Sequence, residues 1–156
     1  MIVAAEDSDF DTLACEGKVR GMPMADGGIA PDTVLAMLRG LANTIRPTCD
    51  PAAWWIIEDD EIIGLCSITA GPTDAAIDIG YGVATSRQGR GAASRGVGEV
   101  LKWATERPDL IAVTAETSVA NLASQRVLER NGFQRAGTRT DAEDGELICW
   151  RKAVGA

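Results

Sequence analysis

The stretch "SRQGRGAASRGVGEVLKWA", Ser86–Ala104, decides how the rest of the chain is read. It opens with arginines set among glycines and small residues. It then takes up a helical period, with Val97, Val100, Leu101 and Ala104 on one stripe. The pattern predicts a turn feeding a helix that starts near Ala92 or Ala93. The first N–H groups of a helix have no partner inside it, and the helix dipole adds partial positive charge at the same end. Small residues let phosphate oxygens come close to such a backbone. Gln88, Gly89, Arg90, Gly91, Ala92, Ala93 and Ser94 therefore form a candidate anion cradle, suited to a pyrophosphate, with Arg87 and Arg95 adding charge.

This basic turn departs from the chain around it. The 156 residues carry a net charge of -8, which disfavours binding to a nucleic-acid backbone. Between residues 87 and 107, five basic residues face two acidic ones, which leaves -11 for the remainder. A hydrophobic content of 46% and a charged content of 24% suit a soluble globular protein, and the length suits one domain over 1–156. No apolar run nears the ~20 residues that cross a bilayer, so no membrane partner is expected. "MIVAAEDSDFDTL" lacks the basic start and apolar stretch of a signal peptide, so a cytoplasmic location is expected. Cys15, Cys49, Cys66 and Cys149 make no CxxC knuckle, and histidine is absent, so no metal site is expected. Any general base must then be something other than histidine.

Upstream of the turn, "AIDIGYGVA" alternates apolar Ile77, Ile79, Tyr81 and Val83 with Asp78, Gly80 and Gly82. A strand would put one carboxylate on an otherwise bare face. Glycines there permit close approach by a ligand or another backbone. "AAWWIIEDDEIIGLCSITAG" predicts a hairpin around Glu58-Asp59-Asp60-Glu61, which completes a three-stranded meander. Downstream, "LIAVTAET" predicts a strand and "VANLASQRVLER" a helix with Ala120, Ala123, Val127 and Leu128 on one side, ended by Asn131-Gly132. "FQRAGTRT" and "ELICWRK" predict a closing hairpin around "DAEDG". The N-terminal third predicts a strand in "MIVAAED", a weak helix over 11–20, a loop "GMPMADGGIAPD", and a helix from Thr33 to Ile45 capped by Asp32. The order is that of an α/β (α+β) domain, with a strand–helix–strand crossover expected to be right-handed.

Two phosphate-binding motifs fail. The P-loop pattern GxxxxGK[ST] is absent, and Ser94 stands where a GxGxxG run from Gly89 needs its third glycine. A dinucleotide-binding domain for NAD(P) is thus a poor fit. By contrast, Gln88-x-x-Gly91-x-Ala93 resembles the Q/R-x-x-G-x-G/A signature of the GNAT superfamily of N-acetyltransferases, whose loop cradles the pyrophosphate of acetyl-coenzyme A. "IDIGYGVA" is similar to that family's fourth strand, and "ETSVANLASQRVLERNGF" to its fifth strand and the helix that follows. The likeness covers roughly residues 54–152. Asn121-x-x-Ser124 and "RVLERNGF" most resemble the ribosomal-protein (Rim-type) branch.

The resemblance implies a GNAT fold, a mixed central sheet flanked by helices, with acetyl-CoA as co-substrate and an amine attacking the thioester directly. It implies that Val83 holds the pantetheine arm through backbone groups and that Asn121 binds the same arm. Ser124 would lie near the sulfur. From the residues alone, Asn121 reads equally as a helix N-cap and Ser124 as an ordinary helix serine. For the base, Asp78 on the bare strand face and Glu143 in the late acidic turn are the candidates, with Glu116 third. Many family members carry a tyrosine where this chain has Leu128, which passes the role at the departing thiolate to Ser124. Tyr81 is expected to pack. The acceptor is a protein N-terminus, a lysine or a small-molecule amine. The turn with Asp141, Glu143, Asp144 and Glu146 would favour a cationic one. A non-catalytic acyl-CoA-binding module is the rival reading. A homodimer stays open: Trp54 and Trp55 face opposite sides of a strand, where burial beneath a helix is the favoured reading and an interface the alternative.

Overall fold

The meander forms the centre of the molecule. In the computed structural model, which describes residues 1–155, β4 (Ala53–Glu58), β5 (Glu61–Thr73) and β6 (Ala76–Val83) pair antiparallel in succession. Asp59 and Asp60 make the turn between the first two with φ of 51° and 59°, a conformation that aspartate tolerates better than most residues. On the outer side, β1 (Ile2–Ala4) pairs with β4. On the other side come β7 (Ala112–Ser118), β9 (Gly145–Ala153) and β8 (Gln134–Asp141), giving the order β1-β4-β5-β6-β7-β9-β8. Among the described residues, no helix is long and apolar enough to cross a membrane.

The helices are α1 (Asp7–Glu16), α2 (Asp32–Ile45), α3 (Ala92–Thr105) and α4 (Leu122–Arg130). The tryptophan pair shows how they divide between the faces. Trp54 meets Trp103 of α3 edge-on at 4.8 Å, and Trp55 meets Phe10 of α1 at 4.8 Å. Both tryptophans are buried beneath helices, so neither is left to build an interface.

The pair β6 and β7 runs parallel, with α3 as the connection between them. Their register runs from Ala76 with Ala112 to Ile79 with Ala115 and stops there. Beyond it, Gly80–Val83 and Glu116–Ser118 diverge. The sheet parts along this line, and the cradle turn sits at the far end of the gap.

Four local expectations are corrected. The first helix starts at Asp7, ahead of the predicted span, because Glu6 and Asp9 form a reciprocal capping box. Asp32 is a first-turn residue and Pro31 is the N-cap, so its carboxylate acts on the helix dipole and makes no cap hydrogen bond. The glycine-rich loop runs from a two-residue hairpin, β2 (Lys18–Val19) with β3 (Met22–Pro23). In α4 the buried residues are Gln125 and Leu128, while Ala120 and Ala123 are exposed. Gln125 Nε2 donates to the carbonyls of Ser118 and Val119, tying the helix to the end of β7.

Candidate active site

The cradle is built by backbone conformation. A short 3-10 turn, Thr85–Arg87, leaves β6, and Gly89 and Gly91 then take φ of 79° and 77°. A side chain at Gly91 would carry the strain of the left-handed region, and its Cβ would also stand 3.0 Å from Arg95 Nη1. With glycine as N-cap, no side chain caps the start of α3. A groove of about 370 Å³ opens at this point, walled by Tyr81–Val83 of β6, by the turn from Gln88 to Ser94, and by α4.

The arginines are distributed differently from the sequence expectation. Arg87 borders the groove but pairs with Glu61 at 2.9 Å. Arg95 pairs with Glu58 and donates to the Arg90 carbonyl. Arg90 stands outside the groove wall, and its carbonyl accepts from Arg95. The cationic wall comes instead from Arg126 and Arg130 of α4. Their spacing of four on one helix face is a signal the sequence carried. The Gln88 side chain is engaged within the fold, since its Nε2 donates to the Val83 carbonyl at 3.1 Å and straps the turn to the strand.

Beside the cradle, β6 offers backbone that no neighbouring strand pairs. The Ala84 N–H donates to the Ile63 carbonyl at 2.7 Å, which sets the alternation of the antiparallel ladder. Gly82 and Gly80 therefore turn their backbone groups toward β5, and Tyr81 and Val83 turn theirs into the gap that β7 has left. An extended ligand lying there would be held as a strand is held.

Across the gap stands α4. Asn121 is its N-cap, with Oδ1 accepting from the Ser124 N–H at 3.1 Å, and both residues border the groove. Tyr81 reaches over from β6. Its Oη lies 2.8 Å from Ser124 Oγ and 3.1 Å from the Ser124 carbonyl, with one proton to give to either. Burial pushes the phenol up to about 12, against the opposing effect of its hydrogen bond with Ser124. Leu128 is fully buried in the core, so no hydroxyl stands at that helix position. The strand supplies one at Ser124, a helical turn earlier.

The candidate bases separate by environment. Both oxygens of Asp78 accept threonine hydroxyls, Thr69 at 2.8 Å and Thr114 at 2.7 Å. Burial raises its carboxyl above the usual range although those bonds pull the other way. Glu116 pairs with Arg139, which holds it below the usual range. Glu143 sits at the exposed tip of the β8–β9 hairpin, where its N–H donates to Asp141, and it borders neither cavity. That tip folds on itself: Asp141 accepts two backbone N–H groups and lies near Arg139. A second cavity of about 210 Å³ lies on the face of β6 that carries Gly80 and Gly82, and it shares Tyr81 and Gly82 with the groove.

The family model described as Acetyltransferase (GNAT) domain matches residues 2–134. The chain belongs to the GNAT acetyltransferases. Similar solved structures agree over nearly the whole chain. RimL, the ribosomal L7/L12 alpha-N-protein acetyltransferase in complex with coenzyme A, is 22% identical with a TM-score of 0.73, covering 98% of this chain and 93% of that one. An acetyl transferase from Salmonella typhimurium that modifies the N-terminal serine of 50S ribosomal subunit protein L7/L12 is 21% identical with a TM-score of 0.74, covering 98% and 94%. AAC(6')-Ib in complex with paromomycin and acetyl-CoA is 18% identical with a TM-score of 0.69, covering 98% and 92%. At these identities the likeness is one of fold. No curated protein matches the chain in sequence.

In this GNAT domain, then, the glycine turn, the free backbone of β6, Asn121, Ser124 and Tyr81 converge on one groove. Asp78 stands apart on the opposite face of β6, and Glu143 is remote from both. Tyr81 is the member that pattern reading missed. Its odd-numbered position placed it with buried Ile77 and Ile79, and only the parting of β6 from β7 turns its hydroxyl toward α4.

Proposed function

We propose that the whole chain acts as one N-acetyltransferase domain, moving the acetyl group of acetyl-CoA to a primary amine by direct attack on the thioester. The observation that carries this reading is the continuity of the groove, from the uncapped start of α3 along the free edge of β6 to the Tyr81–Ser124 pair. Coenzyme A or acetyl-CoA bound to RimL and to AAC(6')-Ib supports it. The backbone of Gln88–Ser94 holds the pyrophosphate, with Arg126 and Arg130 adding charge. Tyr81 and Val83 hold the pantetheine arm as an added strand, and their N–H groups polarise the acetyl carbonyl. Asn121 holds the start of α4 in place beside that arm.

Ser124 donates to the departing sulfur, and Tyr81 donates to Ser124 Oγ. A phenol pushed up to about 12 does not surrender its proton to a thiolate. The pair therefore stabilises the thiolate by hydrogen bonding and keeps its own protons. The amine must be neutral when it attacks. Asp78 lies three residues from Tyr81, roughly 10 Å along the strand, so it draws the proton through water.

The acceptor is a protein N-terminus, a lysine or a small-molecule amine; the Salmonella enzyme modifies an N-terminal serine, and AAC(6')-Ib is solved in complex with paromomycin. The test is thiol release from acetyl-CoA against a panel of amines and N-terminal peptides. Turnover with at least one amine is expected. Tight CoA binding with no amine acetylated would favour a non-catalytic acyl-CoA-binding module.

A further inference from the structure

We infer that the second cavity receives the flank of the acceptor and selects an α-amino carbonyl compound with a small, uncharged side chain. The inference rests on the acetyl-transfer reading above. The cavity lies across β6 from the groove, with Tyr81 and Gly82 forming part of both walls. A molecule seated there can present its amine to the gap between β6 and β7. About 210 Å³ is the space of roughly seven waters, enough for a few heavy atoms beside the amine and too little for a large ring system.

The chemistry of the wall is equally restrictive. Ile29, Ala30, Val34, Leu38 and Leu65 make it apolar, and no charged residue among the described residues lines it. A cationic or anionic side chain would lose its water there and gain no opposite charge. One polar group is left over. Ser67 is 3% exposed, borders the cavity, and its Oγ is the buried side-chain polar atom that finds no partner among the described residues. Buried hydroxyls are nearly always paired, so this one marks a place where a ligand atom completes the bond. The neighbouring Thr69 hydroxyl is already given to Asp78. A carbonyl one carbon from the amine would accept from Ser67.

A second observation comes from Gly82. Its φ does not fall in the left-handed region, and a Cβ built on it would meet nothing within 4 Å. Neither backbone strain nor packing in the described structure requires glycine at this position. A side chain there would project toward the space assigned to the acceptor. The bare floor keeps that space open.

The test is thiol release from acetyl-CoA with aminoacyl amides as acceptors. Alaninamide, serinamide and valinamide should show kcat/KM at least ten-fold above the amides of lysine, glutamate and tryptophan. Ser67→Ala should raise KM for alaninamide about five-fold, the loss of one neutral hydrogen bond, and leave KM for acetyl-CoA unchanged. Leu38→Phe, and independently Val34→Phe, should depress kcat/KM for valinamide more than for glycinamide, with unchanged CoA binding by calorimetry. Turnover that is equal across small, bulky and charged amides would overturn the inference alone. So would a Ser67→Ala enzyme with unchanged acceptor KM. CoA binding without turnover of any amine would remove the acetyl-transfer reading and the inference together.

Discussion

The pairing of Tyr81 with Ser124 makes a prediction that separates a relay from two independent contacts. Tyr81→Phe keeps the ring and removes the oxygen that lies 2.8 Å from Ser124 Oγ and 3.1 Å from the Ser124 carbonyl. The fold should lose only about 1 kcal/mol, the worth of an ordinary hydrogen bond. Turnover should lose more. A hydrogen bond to a charged group contributes about 1.5–3 kcal/mol, so Ser124→Ala should lower kcat about 10- to 150-fold. Phenylalanine at position 81 leaves the serine hydroxyl present but free among three staggered positions, of which one aims at the sulfur. The entropy of that choice, with the lost polarisation of the bond, gives roughly a 3- to 10-fold decrease in kcat. The double variant should be no slower than Ser124→Ala alone, because the tyrosine acts through the serine. Single-turnover acetyl transfer, with CoA affinity and thermal melting as controls, reads all three. A double variant whose loss is the product of the two single losses would refute the relay. So would a Ser124→Ala enzyme with unchanged kcat.

Other perturbations give distinct signatures. Asp78→Asn should slow transfer at least ten-fold and erase the fall in rate on the acid side of the profile. Because burial raises the Asp78 carboxyl above its unfolded value, its contribution to stability is present below that unfolded value and lost as pH rises through the raised one. At neutral pH the charged group therefore costs stability, and the asparagine variant should melt higher while working worse. Arg126→Ala and Arg130→Ala should each raise KM for acetyl-CoA several-fold at low salt, with the difference shrinking as ionic strength rises, since both side chains are exposed. Asp9 is buried and accepts from Arg20, from the Glu6 N–H and from the Trp55 indole at 3.4 Å. Asp9→Ala leaves those donors without a partner and should cost about 3 kcal/mol in denaturant unfolding, with KM values unchanged.

Elements with a strong period were legible before the fold was known. Ile77 and Ile79 alternate with Asp78 and Gly80, and the strand lies where that alternation puts it. Val97, Val100, Leu101 and Ala104 mark the buried stripe of α3, and Asn131-Gly132 closes α4 as expected. What the pattern could not show depends on contacts between distant segments. The start of α1 rests on a reciprocal cap between Glu6 and Asp9, neither of which is apolar. The buried face of α4 is set by Gln125 reaching the carbonyls of Ser118 and Val119, so a polar residue is buried while Ala123 of the expected stripe is exposed. In the site, the glycine turn, Asn121 and Ser124 were visible as motifs. The Tyr81–Ser124 pair joins residues 43 positions apart and has no local signature. Glu143 shows the converse: an acidic turn stands out in sequence but lies at a hairpin tip away from the groove.

The parting of β6 from β7 has a consequence for stability as well as for chemistry. Four register pairs hold the two halves of the sheet together at this seam, and the strands then run on with no partner on their inner edges. A donor lying in the gap would serve as the missing rung. Binding energy would then be felt as folding energy, adding about 2.7 kcal/mol at a donor concentration one hundred times its Kd. The empty protein should exchange amide hydrogens fastest along this seam, and the occupied one should close it. Cofactor supply would therefore set how long the chain survives as well as how fast it works.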